Sequence, residues 1–413
     1  MKTITYLLIA VIAQSAAAQT TGKIYQYTNG NWFNGKTFEK KNMYVQNGLF
    51  LKAAAKADSV INLEGNYVIP PFGEAHTHML EGMPGIDNTI KNYLQQGVFY
   101  VKNPNNVLEW TKNIFSKVNH TASIDGSFAN AGITSTGGHP QILYEEVVIQ
   151  HLKGAMPRIE KSWFKNRAFF NADNAAALDE IWPLVKAGKP DFIKIYLANS
   201  EDNGKPPAPG RTLRKGLTPV MAKLIVSRAH AEGYRVSAHV ETAADFRNAL
   251  AADADEINHT PGFYIYSAAA TDRYTLTEAD AKQAAKQNVT VVTTFHSSNL
   301  IEDASLLPLS KKIQGQNLRL LHRHGVRIAI GSDHADTPAR EIETMMELKL
   351  FDNLTLLKMW TENTAATIFP QRKIGRLDAG YEASFLVLSN DPVKDLKPFN
   401  DIILRVKQGV ILR

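Results

Sequence analysis

Two histidines separated by one residue, His76-Thr77-His78, close the run Val68-Ile69-Pro70-Pro71-Phe72-Gly73-Glu74-Ala75. In extended backbone alternate side chains leave on one side, so two such imidazoles can aim at one point and chelate a metal ion. A pair of this kind also arises by chance, and it gains meaning only if other strands end in ligand-type residues. Ser237-Ala238-His239, Ile257-Asn258-His259 and Gly331-Ser332-Asp333 each close an apolar run with such a residue. Phe192-Ile193-Lys194-Ile195-Tyr196 carries a lysine inside one. Burying an ammonium without a partner is costly, so Lys194 calls for an explanation. One explanation is chemical: a neutral buried amine adds carbon dioxide, and the carbamate bridges two cations. The other is a structural salt bridge, to Asp333 or Asp191. The chain has no cysteine, which excludes disulfides, thiolate metal sites and a cysteine nucleophile. Any metal must then be held by His, Asp, Glu or a modified Lys.

The elements that must position these residues repeat one phrase: an amphipathic helix, a Gly or Asn that ends it, then a short apolar strand. Met221, Leu224, Ile225 and Ala229 share one helical face, Gly233 is the stop, and Tyr234 to His239 is the strand. The same phrase places stops at Gly97, Gly188, Asn288 and Gly325, before strands at 98–101, 191–196, 289–294 and 326–331. With strands near Pro71, Phe128 and Glu256 this gives about eight, and alternation of helices with buried strands predicts an α/β fold with a parallel sheet closed into a (β/α)8 TIM-like barrel. In such a barrel the C-terminal strand ends carry the chemistry. The two chain ends have a different texture, with short strands and Asn-Gly turns at Thr28-Asn29-Gly30-Asn31 and Asn47-Gly48, and strands again at 384–388 and 402–412. Residues 19–67 and 371–413 are therefore expected to form one discontinuous β-sandwich domain, with the barrel over 68–370.

With these ligands at these strand ends, the chain resembles the metal-dependent amidohydrolase superfamily, and within it the branch of imidazolonepropionase and Xaa-Pro dipeptidase. The likeness runs from Val68-Ile69-Pro70 through His76-Thr77-His78 to Ile374-Gly375-Arg376-Leu377-Asp378-Ala379-Gly380. It implies that His76, His78 and Asp333 bind one divalent ion, that His239 and His259 bind a second, and that a carboxylated Lys194 bridges them. Zn2+ is the expected metal. The implied reaction is attack of metal-activated hydroxide on an amide or cyclic amide carbonyl, with Asp333 as general acid/base. The chain departs from dipeptide-cleaving relatives after its fifth and sixth strands, which continue Val240-Glu241-Thr242 and Thr260-Pro261-Gly262-Phe263.

Lesser candidates surround this set. His139, in Gly137-Gly138-His139, and Tyr196, two residues past Lys194, are expected to contact substrate. Glu74 alternates with His76 and faces the same side. His296 and His334 sit off the ligand register and suit outer or surface roles, while His120, His151, His230, His322 and His324 fall on helices or loops. Residues 198–218 form a polar, Pro- and Gly-bearing loop beyond Lys194 that suits a lid, with Arg211, Arg214 or Lys215 available for a substrate carboxylate. Thr337 and Pro338 should open a helix that packs Ile342, Met345 and Met346 on the barrel.

Composition bounds the rest. The 413 residues are 44% hydrophobic and 21% charged, with 46 basic against 40 acidic side chains. The +6 charge is scattered without a basic block, so the partner is a small-molecule substrate and not nucleic acid. Residues 1–18 have one lysine, an apolar run and Ala16-Ala17-Ala18, the layout of a cleaved signal peptide. The run is shorter than the roughly 20 residues of a membrane span, which predicts a secreted or periplasmic protein with no span after cleavage; a homo-oligomer is left open. The same site acting on an ester, lactone or phosphotriester is the alternative chemistry. A binding protein on an inactive barrel is a remoter one, since such proteins usually lose their ligands.

Overall fold

The computed structural model describes residues 22–54, 56–81, 85–202, 215–301, 303–333, 338–397 and 401–412. The leader at 1–18, Arg211, Arg214, His334 and Thr337 lie outside the described residues.

The two chain ends meet in one eight-stranded sheet. Along it run Val410–Ile411, Ile402–Lys407, Phe385–Leu388, Tyr67–Ile69, Tyr25–Phe33, Phe38–Gln46 and Leu49–Leu51, with Ser59–Asn62 also paired to Tyr25–Phe33. Tyr67–Ile69, which the expected boundary at residue 68 would divide, is one strand of this sheet, with Val68 opposite Val387. Asn47-Gly48 and Gln408-Gly409 turn the chain with positive φ at both residues, as hairpin turns require. Thr28-Asn29-Gly30-Asn31 does not turn it. The register slips between Tyr27 and Gly30, so Asn29, at φ 56°, is spent on a bulge inside a nine-residue strand. The actual turn is at Asn34, whose amide bonds the Thr37 carbonyl at 3.0 Å. Tyr27, Trp32, Phe50 and Phe385 bury their rings against one another at centroid distances of 5.0 to 6.5 Å, a largely edge-to-face core for this sheet.

The middle of the chain is α/β. Seven parallel strands run in the order Phe169–Asn171, Gly132–Thr134, Ile193–Leu197, Val236–Val240, Glu256–Asn258, Thr290–Val292, Arg327–Ala329. Three more, Phe72–Glu74, Val98–Asn103 and Asp125–Phe128, form a second parallel sheet. Two strands thus exceed the expected count: Gly132–Thr134 and Phe169–Asn171, each three residues long, too short to show a period. The sheets touch at both outer strands of the smaller one. The Ala75 amide bonds the Ile330 carbonyl at 2.8 Å, and the Asp191 amide bonds the Phe128 carbonyl at 2.8 Å.

Helices between the strands begin where local chemistry starts them. Thr242 with Asp245 and Thr277 with Asp280 form capping boxes, and Thr218 accepts from the Met221 amide ahead of Pro219–Ala231. Gly233 and Gly325 end helices with φ of 83° and 78°, a conformation that a Cβ would strain. Gly188 is right-handed instead, and Lys189, at φ 49°, makes the reversal. Pro338–Glu347 buries Ile342 and Met345.

Candidate metal centre

The Phe72–Glu74 strand stops before His76 and His78, which lie on the bend beyond it rather than within extended backbone. A buried carboxylate holds that bend. Glu74 accepts from the His76 amide at 2.9 Å, and from the Ser332 amide and hydroxyl at 3.0 and 2.7 Å. It thereby ties the first parallel strand to the loop after the last, and the Asp333 amide completes the tie at the His76 carbonyl, 2.7 Å away. Burial pushes the Glu74 carboxyl up to about 8, against the pull of those donors. Asp333 and His259, each just past a short strand, have φ of 48° and 74°, a region non-glycine residues rarely enter and one that recurs at functional sites. His239 lies inside Val236–Val240, and Lys194 and Tyr196 lie on the neighbouring strand opposite Ser237 and His239.

These residues line one cavity of about 710 Å³. The Asp333 Oδ1 is 3.5 Å from His76 Nε2 and 3.4 Å from His78 Nε2, so the three can offer ligand atoms to one cation. Asp333 Oδ2 is 4.0 Å from His259 Nδ1, and the His239 and His259 rings lie 4.4 Å apart. Asp333 therefore stands between the two groups of imidazoles.

The electrostatics suit cation binding. Burial holds His76 and His259 well below the ordinary imidazole range, in the neutral form that a metal requires. Burial would raise Asp333, but the hydrogen bond with His78 and that residue's charge keep it low and ionised. Burial lowers His78, yet its bonds to Asp333 and Glu81 carry it to about 10. In the metal-free protein a proton on His78 thus balances two carboxylates, the position of charge that a cation would assume. His78 Nδ1 is fixed by Glu81 at 2.9 Å and by the Asn105 carbonyl at 3.1 Å, the outer contacts that set a ligand imidazole's tautomer. His76 Nδ1 is buried with no hydrogen-bond partner among the described residues. The ring nitrogens that face the Asp333 carboxylate, Nε2 of His76 and of His78, make with it a donor set that fits a divalent cation.

Lys194 is buried, and its amine donates to the Asn258 side-chain oxygen, not to Asp333 or Asp191. Burial lowers it to about 7. Asp191 instead receives the Phe128 amide at 2.8 Å. A salt bridge does exist between the strands, at a lysine that the reading from sequence passes over. Lys102 Nζ bonds both oxygens of Glu256, at 2.9 and 2.8 Å. Glu256 also accepts from Ser237 and Asn258, each at 2.9 Å, and so joins Lys102 to the group that holds Lys194.

The structure brings His139 and Tyr196 to the same cavity: their rings lie 4.9 and 5.4 Å from that of His239. Lys215 is not in the cavity lining; its main-chain carbonyl accepts the His139 amide at 2.7 Å. His296 lies on a short helix beyond the sheet, near Asn299. His151 bonds the Val147 carbonyl, His230 meets Asp255, and His322 packs on Phe351. Glu81 and Asn105 were not foreseen. Glu81 was legible, three residues past His78, whereas Asn105 acts through its carbonyl, which no residue type announces.

The amidohydrolase family model matches residues 67–412. Among curated proteins none matches this chain. Solved structures of similar fold include the A. niger ochratoxinase, at TM-score 0.72 and 17% identity over 94% of this chain and 95% of that one. A Xaa-Pro dipeptidase with bound methionine in its active site gives 0.72 and 15% over 94% and 100%. A prolidase complexed with N-methylphosphonate-L-proline gives 0.70 and 16% over 94% and 99%.

Proposed function

The chain belongs to the amidohydrolase family, hydrolases of carbon–nitrogen bonds, and we propose that it works through a binuclear metal centre on an amide or cyclic amide. In this reading His76, His78 and Asp333 hold one divalent cation, His239 and His259 hold another, and Lys194 carries a bridging carbamate. Zn2+ suits the nitrogen and oxygen donors. When bound, such cations supply Lewis acidity at neutral pH. Asp333 is ionised and 3.4 to 3.5 Å from two imidazoles, so its carboxylate is positioned to take a proton from the attacking water and pass it to the leaving nitrogen. Tyr196 keeps its phenolic proton, because burial raises it well above the usual range, and can donate a hydrogen bond to substrate. The observation that carries the reading is the convergence of six residues, scattered from position 76 to 333, on one cavity.

Two further readings accompany it. The seven-stranded parallel sheet, which meets both outer strands of the three-stranded one, is read with it as a closed (β/α)8 barrel, and the eight-stranded sheet as a companion β-sandwich domain built from both chain ends. Residues 1–18 are read as an export signal; no helix among the described residues is long and apolar enough to cross a membrane.

Metal analysis of the purified protein, with assays on N-acyl amino acids, dipeptides, cyclic amides and matched esters and lactones, tests the centre. Bound divalent metal and chelator-sensitive amide cleavage are expected. Chelator-insensitive turnover would overturn the reading, and preference for esters or lactones would move it to another bond. Asp333→Asn should keep the circular dichroism of the wild type and lose more than the roughly 100-fold typical of outer contacts to a metal. Unchanged rates would remove Asp333 from the mechanism.

A further inference from the structure

Above its polar floor the cavity changes character. One wall is made by Ile142, Leu143, Val147 and Val148, the other by Tyr264 and Tyr266. Leu143–Val148 is a π-helical turn, whose wider winding sets residues four and five apart on one face, and such turns recur at functional sites. Leu143 and Val147 are therefore presented together, 40% and 48% exposed, while Tyr144, which also lines the cavity, and Ile149 are buried. These two have an apolar core of their own, with Val107, Leu152 and Phe164, separate from the main core. The opposite wall is built the same way: Tyr264 belongs to a second satellite core with Phe263 and Tyr274, and its ring meets Tyr266 at 5.0 Å. Two small cores thus buttress apolar side chains that face into the cavity mouth, the signature of a surface kept for a ligand.

Charge at the mouth narrows the ligand. Glu81 and Glu146 line the cavity, and Lys194, on its floor, is the single ammonium or guanidinium in that lining among the described residues. Both carboxylates are already bonded, Glu81 to His78 Nδ1 at 2.9 Å and Glu146 to Lys161, so a substrate carboxylate extended between the walls would have to displace one of them to gain a cationic partner.

We infer that the space between these walls is a subsite for an uncharged apolar substituent, an aliphatic chain or aryl ring, attached to the scissile amide. The inference rests on the amide-hydrolysing reading only for the bond beside the substituent. The metal-loaded protein is given two neutral series, primary amides from acetamide to octanamide and N-alkylacetamides of matching length. Dissociation constants by calorimetry and kcat/KM are both measured. In at least one series affinity and kcat/KM should rise about three- to fourfold per buried methylene. A carboxylate at the far end of the longest member should cancel the gain. Leu143→Ser and Val147→Ser, at exposed positions, should each reduce the ratio of longest to shortest member severalfold. Tighter binding with length but no cleavage would keep the subsite and sink the hydrolytic reading. Cleavage at rates independent of length in both series would do the reverse, and neither binding nor cleavage would overturn both.

Discussion

Two lysines lie buried on parallel strands, and they have been put to opposite uses. Lys102, in Val98–Asn103, gives its ammonium to both oxygens of Glu256 and rests 4.1 Å from the centre of the Phe192 ring. Lys194, in Ile193–Leu197, meets only a neutral amide oxygen, on Asn258, and the Tyr196 ring at 5.2 Å. A buried cation is tolerated where a buried anion matches it; where only a dipole is offered, the amine gives up its proton instead. The burden of desolvation is common to both residues and lowers both, and the partner decides how firmly the proton is kept: Glu256 holds it on Lys102, while Lys194 falls to about 7. Of the two explanations that a lysine in an apolar strand invites, the salt bridge is seen at Lys102, and Lys194, without such a partner, is left as the candidate for the other.

The contrast can be broken in four ways. Lys194→Ala should cost the most: turnover should fall by more than the roughly 100-fold of outer-contact changes, with the fold intact and activity partly restored by short carboxylic acids that imitate a carbamate. Wild-type rates in that variant would show that the amine has no part in the chemistry. Lys102→Met should act on stability instead, lowering the free energy of unfolding in urea by about 3 to 5 kcal/mol because Glu256 is left buried and unpaired. The double change with Glu256→Leu should recover most of that loss. If Lys102→Met were fully stable, the ion pair would not be the structural element described here.

A pH series sharpens the comparison further. In the metal-free protein Lys194 is protonated up to about 7 when folded, against the ordinary lysine value of 10.5 when unfolded. Between these values the unfolded chain binds more protons, so stability rises with pH across that window and the cost is constant below it. Wild type should therefore gain stability relative to Lys194→Met as pH rises above about 7. A flat difference in thermal midpoint would mean that the amine stays charged in the fold. The smallest effect is expected at the rim: His139→Ala should raise KM by about tenfold with kcat little changed, the pattern of a group that binds ground state and transition state alike. A fall in kcat instead would bring His139 into the reacting set.

The same pair shows what was legible in the sequence. Lys194 stands in the middle of the run Phe192-Ile193-Lys194-Ile195-Tyr196 and could not be missed, and His239 ends another apolar run. Lys102 follows Val98-Phe99-Tyr100-Val101 directly, and the logic applied to Lys194 would have singled it out. The expected strand ended at Val101, which left its lysine to a loop, although the strand runs to Asn103. His259 and Asp333 were legible as residue types, but their left-handed backbone was not, because it follows from the tight loops that close strands of three residues. The cavity walls were the least legible part. Leu143, Val147 and Tyr264 owe their role to a π turn and to satellite cores, and neither has a period that hydropathy can display.

The eight-stranded sheet also has a bearing on the order in which the molecule can be assembled. Tyr67–Ile69 is flanked by Tyr25–Phe33 from early in the chain and by Phe385–Leu388 from near its close. At ordinary rates of translation the aromatic groups of Tyr27, Trp32 and Phe50 emerge on the order of tens of seconds before Phe385 arrives to cover them. The parallel strands in between are made during that interval, so the catalytic half is free to collapse first, while Tyr25–Phe33 and its early partners Phe38–Gln46, Ser59–Asn62 and Tyr67–Ile69 keep their aromatic face wetted until the final thirty residues reach it.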